Sequence, residues 1–369
     1  MSEKTKTYFS VEQLDKLSKN MDYVFLYSTR SDGKSYAVKS RCLLSAFASI
    51  DETGQCREQF AYIRRYDLEN KDGKIEKYFL DMPIQEITDG KYTHVFVYSK
   101  AIYFGHVDKG KRIKDVCIGY SFSISGAVHN KSEAYPYIQN VIFEEVTVKA
   151  GEQYLYNEPS ELLHAISTLC RDRDNCRVYL IGNILNRQCP YFEEWQLHPD
   201  KLKEGESNIV TFKNPDNDIE TKLIIYHVKP AEHKSRLFFG RAADNITKGE
   251  YYTELQRHLH HPVERYTKVH TVVLEHDSFK YLLEFIYYTD YDFGADYAWF
   301  VSPKTTEIQP NTRLITNNLT HGGRLVTDSF KGLSPNECVA FDYLMDNTKV
   351  FYSDNLTGTE FSAIMSQYT

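Results

Sequence analysis

The sequence holds no apolar run of about 18 residues, the length a membrane-crossing helix needs, so no helical span is expected. Its first residues, Met1 to Thr7, lack the apolar core of a secretory signal, and the chain is expected to stay in the cell that makes it. No Cys-x-x-Cys pair occurs among the seven cysteines, Cys42, Cys56, Cys117, Cys170, Cys176, Cys189 and Cys338. Neither a zinc site nor a disulfide framework is indicated, and reduced thiols are expected. Positive charge is not in excess. A net charge of −7 argues against a broadly basic protein that coats nucleic acid, yet leaves room for a ring or channel that touches it through a few cations. There is no internal repeat and no low-complexity tract. One more absence is local. A phosphate-binding loop reads G-x-x-x-x-G-K-[ST]. In Ser28-Thr29-Arg30-Ser31-Asp32-Gly33-Lys34-Ser35 the first glycine is missing, and Asp32 adds a negative charge where phosphates would sit.

What is present suits a soluble globular protein of two domains: 369 residues, 41% hydrophobic and 26% charged. Tyr23–Tyr27 is a short apolar run bounded by turn residues, which reads as a buried strand. Leu43, Leu44 and Phe47 follow Lys34-Ser35 at helical spacing, so strand, Gly-Lys-Ser and helix come in the order a phosphate loop requires. Further strands are expected at Gln59–Arg65, Lys77–Leu80, His94–Ser99, Ile102–Gly105, Val116–Ser123, Val141–Glu145, Arg177–Asn183 and Lys222–Val228. Glu158–Leu169 reads as a helix with Asn157 as N-cap. Strands alternating with helices predict a mixed, mainly parallel α/β sheet. Lys201–Asp218 reads as a polar stretch and Pro230–His261 as a charged, helix-prone connector. Beyond Pro262 strand-like runs dominate, with a helical segment at Glu337–Met345. The domains expected are residues 1–230, a linker at 231–261, and an α+β domain at 262–369.

Backbone N–H groups and a helix N-terminus can surround a polyanion. In that reading Lys34 reaches the β- and γ-phosphates and the Ser35 hydroxyl binds Mg²⁺. An ordinary strand-to-helix turn is the alternative for this loop taken by itself. Glu144-Glu145 closes a buried strand, where the first acid would hold Mg²⁺ and the second polarise the attacking water; an acidic pair opening a loop is the alternative. Asn183 at a later strand end could sense the γ-phosphate or simply end the strand. Arg171 and Arg173 follow the helix. One of them could act on a neighbour's site, or both could be solvated within Arg-Asp-Arg-Asp.

The order of these segments is more specific than any one of them. Arg57–Tyr66 resembles the second-strand motif of the DNA-packaging ATPases of small protein-primed tailed phages, the phi-twenty-nine type. Lys131–Pro136, Asn157–Leu163, Arg171-Asp172-Arg173, Asn183, Pro190-Tyr191-Phe192, Phe239-Gly240-Arg241 and Gly249-Glu250-Tyr251 continue the resemblance in order, over about residues 20–255. The resemblance implies an ASCE-type P-loop ATPase domain, a helical linker and a small, degenerate RNase H-like domain. It implies that ATP and Mg²⁺ bind at Ser28, Thr29, Arg30, Ser31, Asp32, Gly33, Lys34 and Ser35. It makes Glu144 the metal-holding acid, Glu145 the catalytic glutamate, Arg171 the finger acting in trans, Lys131 a contact to the adjacent subunit's nucleotide and Asn183 the sensor. Ser28, Asp32 and Glu144 depart from the family pattern. The implied partners are double-stranded DNA, a portal-bearing prohead, a packaging RNA and further copies in a pentameric ring. The implied setting is the host cytoplasm, with transient attachment to the prohead and no membrane.

Glu275, Asp277, Asp290, Asp292 and Asp296 are the acids a surviving nuclease would use. The stretch Thr289–Asp296 reads instead as a solvated loop. His258-Leu259-His260-His261 reads as the end of a connector. Lys71, Lys74, Lys109, Lys111 and Arg112 are loop cations that could reach DNA, and Gln13 lies in a segment expected near the base. The rivals are another ring motor such as a helicase, a scaffold with a decayed nucleotide loop, and an active nuclease.

Overall fold

The computed structural model describes residues 8–126, 134–148, 154–155, 157–171, 173–183, 189–213, 219–231, 266–276, 279–290, 294–304, 313–316, 324–325 and 350–365. Lys131, Asp277, Asp292, the 232–265 connector with its histidines, and the expected 337–345 helix lie outside them.

β1 (Tyr23–Ser28) has five consecutive buried residues, the signature of a strand covered on both faces. Alternation sends Val24 and Leu26 to one hydrophobic core and Phe25 and Tyr27 to the other. β1 pairs in parallel with β7 (Arg177–Asn183) on one side and β9 (Glu220–His227) on the other. The nine-stranded sheet has the order β3-β4-β5-β2-β6-β7-β1-β9-β8. It includes β2 (Gln59–Arg64), β3 (His94–Tyr98), β4 (Ala101–Asp108), β5 (Lys111–Ser123), β6 (Ile138–Glu144) and β8 (Ser207–Lys213). Strands β5 to β9 in that order run parallel, while β3, β4 and β8 add antiparallel edges.

α2 (Lys34–Ala48) covers one face through Ala37, Val38, Cys42, Leu43 and Ala46. α5 (Glu158–Cys170) covers the other with Leu162, Ile166 and Leu169, joined by Tyr191 and Phe192 of α6 (Pro190–Glu194). α1 (Val11–Ser18), α3 (Asp72–Tyr78) and α4 (Ile84–Ile87) complete this part.

A second sheet has the order β14-β13-β10-β11-β12-β15. β10 (Tyr266–His276), β11 (Phe279–Asp290) and β12 (Gly294–Pro303) form an antiparallel meander. β13 (Arg313–Thr316) runs parallel to β10, β14 (Arg324–Leu325) parallel to β13, and β15 (Val350–Tyr352) parallel to β12. α7 (Asn355–Met365) packs Phe361 and Ile364 into a core with Trp299.

Several expectations need correction. Lys77–Leu80 is no strand: Lys77 and Tyr78 end α3, whose Ile75 is the buried contact. Its run of apolar residues is too short to separate strand from helix by period. The polar Lys201–Asp218 stretch contains β8, an edge strand with largely exposed side chains, whose core-facing alternation is only Val210 and Phe212 and is too short to stand out from its polar surroundings. α1 and α7 also went unforeseen. Asn157 occupies the N-cap of α5 in a left-handed conformation, and its side chain makes no capping bond. Of the expected loop 289–296, the described residues are strand: Asp290 ends β11 opposite Gly294, and Asp296 lies in β12 opposite Tyr288. Among the described residues no helix is long and apolar enough to cross a membrane.

Candidate nucleotide site

Parallel strands that share a direction bring their carboxyl ends to one edge of the sheet, where crevices form. Ser28 ends β1 directly opposite Asn183 at the end of β7, and Glu144 ends β6 opposite Ile181. Between β1 and α2 the chain turns through Ser31 and Gly33, both at positive φ (67° and 93°). Gly33 is the N-cap of α2, whose first residues are Lys34 and Ser35. The first-turn amides of α2 therefore open toward a cavity of about 940 Å³. Arg30 to Ser35, Lys39, Asp81, Glu144, Glu145 and Asn183 line it, with Tyr8 to Glu12 on the other side.

The two departures in the loop explain each other. Asp32 lines the cavity, but both of its carboxylate oxygens are engaged by neighbouring donors. It is buried, and its Oδ2 accepts from the hydroxyls of Ser28 and Thr29, both at 2.6 Å. Its Oδ1 accepts from the Ala231 amide at 3.0 Å. A glycine at position 28 would forfeit one of those donors. Ser28 Oγ also accepts from Lys34 Nζ at 2.7 Å, and Lys34 donates further to Thr29 O at 2.7 Å and Asn183 Oδ1 at 3.4 Å. Burial pulls the Lys34 ammonium down to about 8, against the opposing carboxylates of Asp32 and Glu144.

Gly33 is needed for two reasons. Its φ suits glycine, and a Cβ would sit 3.0 Å from Phe9 O and 3.1 Å from Tyr8 Cβ. The 8–10 segment is fixed there by the Phe9 amide donating to Asp32 O at 3.0 Å. Gly33→Ala is expected to cost about 1–3 kcal/mol by forcing both loop and segment to move. Chemical denaturation against wild type measures this, and an unchanged midpoint would contradict the packing described.

Glu144 Oε1 is buried and finds no hydrogen-bond partner of good geometry among the described residues. Burial raises its carboxyl, opposed by the hydroxyls of Ser35 and Tyr78 and the charges of Arg64 and Lys39. An orphaned carboxylate oxygen near a serine hydroxyl fits a hard divalent cation that takes oxygen ligands. Among the described residues no group of three or more His, Cys, Asp or Glu side chains is placed to share a metal. Protein oxygens here could therefore supply a minority of the ligands, as suits Mg²⁺ held jointly with phosphates.

Glu145 leaves the strand at φ 58°, and its exposed carboxylate meets Arg64 Nη2 at 2.9 Å. Arg64 also lies 3.4 Å from Glu69 and 4.0 Å from Glu144. Asn183 is fixed by a reciprocal pair: its amide donates to Thr147 Oγ1 at 2.9 Å, and that hydroxyl donates to Asn183 O at 2.7 Å.

Arg171 does not join this cavity. It is the exposed C-cap of α5, six residues before β7 begins, and β7 runs from there to Asn183. Seven strand residues span roughly 20 Å, so Arg171 belongs to the far edge of the sheet. Arg173 is structural, donating to Leu169 O at 2.6 Å and Ile138 O at 2.9 Å. Gln13 is engaged in a capping box with Ser10 and is not a lining residue. Glu275 is buried and paired with Lys280 at 2.8 Å. Of the proposed DNA cations, Arg112 is tied to Glu76 at 3.0 Å, while Lys71, Lys74, Lys109 and Lys111 are exposed.

Sequence reasoning missed Arg64 as a site residue, and also Lys39 and Asp81, which pair at 2.5 Å at the cavity wall. The doubled arginine at the end of β2 was the available signal. Nothing local marks Lys39 or Asp81, which come together across 42 residues.

Residues 4–216 match the sequence family described as podovirus DNA encapsidation protein (Gp16). The DNA packaging protein of Bacillus phage phi29 is 31% identical over 182 residues, 48% of either chain. The chain thus spans about half the length of the curated relative it matches. Among solved structures, the Phi-28 gp11 DNA packaging motor aligns over 98% of both chains at 18% identity and a TM-score of 0.49. The N-terminal domain of the bacteriophage phi29 DNA packaging ATPase aligns over 62% of this chain and 99% of its own, at 27% identity and a TM-score of 0.44. The family match runs through the loop, both strand-end acids, Arg171 and Asn183, and over more than half of the sequence: the chain belongs to the podovirus DNA encapsidation protein family.

Proposed function

We propose that this chain is an ATPase that drives double-stranded DNA into a preformed phage head. The observation that carries the reading is the convergence of Lys34, Ser35, Glu144, Glu145 and Asn183 on one cavity at the carboxyl edge of a parallel sheet. The order β9-β1-β7-β6-β2 supports the ASCE class of P-loop folds, because β7 intervenes between the loop strand and the acid strand. Residues 1–230 form the ATPase domain in this reading, 231–261 the linker, and 262–369 an RNase H-like domain. For the last, the supporting observation is an antiparallel meander β12-β11-β10 continued by parallel β13 and β14. Engagement of Glu275 by Lys280 favours a domain that no longer cuts DNA.

Loop residues Ser28 to Ser35 take the triphosphate on their amides and on Lys34. Ser35 and Glu144 would hold Mg²⁺, which would supply neutralisation of the phosphate charge. Glu145 accepts the proton of the attacking water once Arg64 releases it. Asn183 orients that water, and Arg171 and Lys131 serve a neighbouring copy's nucleotide. This arrangement needs a ring, taken to be pentameric, seated on the portal of a prohead in the host cytoplasm with a packaging RNA. DNA would be gripped by its phosphates, so transport is independent of sequence and sensitive to salt. The name of the phi29 relative, DNA packaging protein, supports the same reading.

The test is steady-state ATP hydrolysis with Mg²⁺, with and without double-stranded DNA, on protein shown by sedimentation to have assembled. Turnover stimulated by DNA is expected. An assembled ring without turnover would favour the scaffold reading, and strand separation would favour a helicase.

Lys34 adds a pH dependence. Its ammonium titrates near 8 in the free protein and is raised again by a bound polyphosphate. Below about pH 8 the cation is already present. Above it, binding must take up a proton, and affinity falls by up to about tenfold per pH unit until the bound-state value is passed. Calorimetric titration at pH 9 in two buffers of different ionisation heat should reveal proton uptake that is absent at pH 7. Equal heats at pH 9 would refute the assignment.

A further inference from the structure

We propose that Arg65, Glu158 and Tyr191 form a positioning cluster that fixes, through the main chain of Glu145, the direction in which the Glu145 carboxylate leaves the sheet. The inference rests on the reading of Glu145 as the water-activating acid. Arg65 follows β2 and is buried, as is Glu158, the first residue of α5. The guanidinium grips Glu158 in a fork, Nε to Oε2 at 2.8 Å and Nη2 to Oε1 at 2.9 Å. The same Nη2 donates to Glu145 O at 2.9 Å and to Val146 O at 3.2 Å. Glu158 is completed by the Tyr191 hydroxyl at 2.8 Å and the Leu155 amide at 2.8 Å. The rings of Phe143 and Tyr154 lie 5.7 and 5.3 Å from the guanidinium.

Such a pair contributes little net stability, because desolvation offsets the attraction. Its consequence is geometric. The fork is planar, both its carboxylate oxygens are held by other groups, and it cannot turn without breaking several bonds. What it holds is a strained position. Glu145 is a non-glycine residue at φ 58°, a conformation that persists where surrounding contacts over-determine it. The Val146 amide, donating to Ile181 O at 3.1 Å, secures the other side of the same turn. Adjacent arginines thus hold two ends of one acid: Arg64 takes the Glu145 carboxylate, and Arg65 takes its carbonyl. An error of about 1 Å in the placement of a reacting group costs on the order of 10²-fold in rate, so the orientation matters.

The experiment compares Tyr191→Phe and Arg65→Lys in wild type and in a Glu145→Gln background, by single-turnover and steady-state ATP hydrolysis with fluorescent-nucleotide binding. Tyr191→Phe removes one hydroxyl and keeps the ring packed against Phe143 and Trp195, so it reports even where Arg65→Lys fails to fold. In wild type, kcat should fall about tenfold for Tyr191→Phe and about 100-fold for Arg65→Lys, with KM and nucleotide affinity within about twofold. In the Glu145→Gln background neither substitution should lower the residual rate further, since the cluster acts through Glu145. Equal losses in both backgrounds, a rise in KM matching the loss of kcat, or an unchanged kcat for Tyr191→Phe would overturn the proposal while wild-type turnover keeps the ATPase reading intact. Absence of hydrolysis by assembled wild type overturns both.

Discussion

Glu145→Gln should lower ATP turnover by about 10²–10⁴-fold while leaving Mg-ATP affinity nearly unchanged. The amide is isosteric with the carboxylate but cannot accept the water's proton. Binding should be preserved because, in the proposed reading, Glu145 is not among the groups that hold phosphates or the cation: Lys34, Ser35 and Glu144, which line the same cavity, are untouched. Breaking the 2.9 Å pair with Arg64 has little cost to folding, since the Glu145 carboxylate is exposed. The measurement is paired: hydrolysis by phosphate release, and binding by fluorescent-nucleotide titration on the same preparation. Turnover within a fewfold of wild type would remove Glu145 from the chemistry and turn attention to Glu144. Loss of binding along with turnover would mean that the acid supports the site's structure instead.

Arg171→Ala should lower turnover by about 10³–10⁵-fold, and mixing should rescue it. Arg171 sits at the edge of the sheet opposite its own cavity, so it cannot complete the site of its own chain. If it completes a neighbour's, a ring mixed from Arg171→Ala and Glu145→Gln subunits contains junctions where an intact Glu145 faces an intact Arg171. Each variant by itself should keep only its small residual rate, and the mixture should regain a fraction of wild-type turnover set by the number of such junctions. Rescue would establish both the shared site and the ring. A dead mixture that co-assembles would place the arginine's role elsewhere, for instance in holding the turn after α5.

The candidate site was legible where its residues are contiguous. Gly33-Lys34-Ser35 after an apolar run, and Glu144-Glu145 at the end of another, declare themselves because a strand end and a helix start are local features. The Ser28 and Asp32 departures looked like damage in one dimension. Their meaning depends on side-chain direction: Asp32 turns under the loop and takes the hydroxyls of Ser28 and Thr29, a geometry no spacing rule encodes. Lys77–Leu80 misled because four apolar and charged residues fit either period, and packing of Ile75 decided for helix. β8 escaped notice because the face it turns to the core is only Val210 and Phe212, within an otherwise exposed polar stretch.

By itself the sequence determined the alternating α/β plan, the buried parallel strands and several residues that line the candidate site, since burial and local backbone geometry follow from residue type and period. The tertiary structure alone decided which of those groups meet. It interposed β7 between β1 and β6, which brings Asn183 beside Ser28 and leaves Arg171 at the opposite edge. It also set Arg64 and Arg65 on the two ends of Glu145 from 81 and 80 residues away. Such pairings depend on the crossover connections of the sheet, and connections between distant segments leave no trace in local sequence.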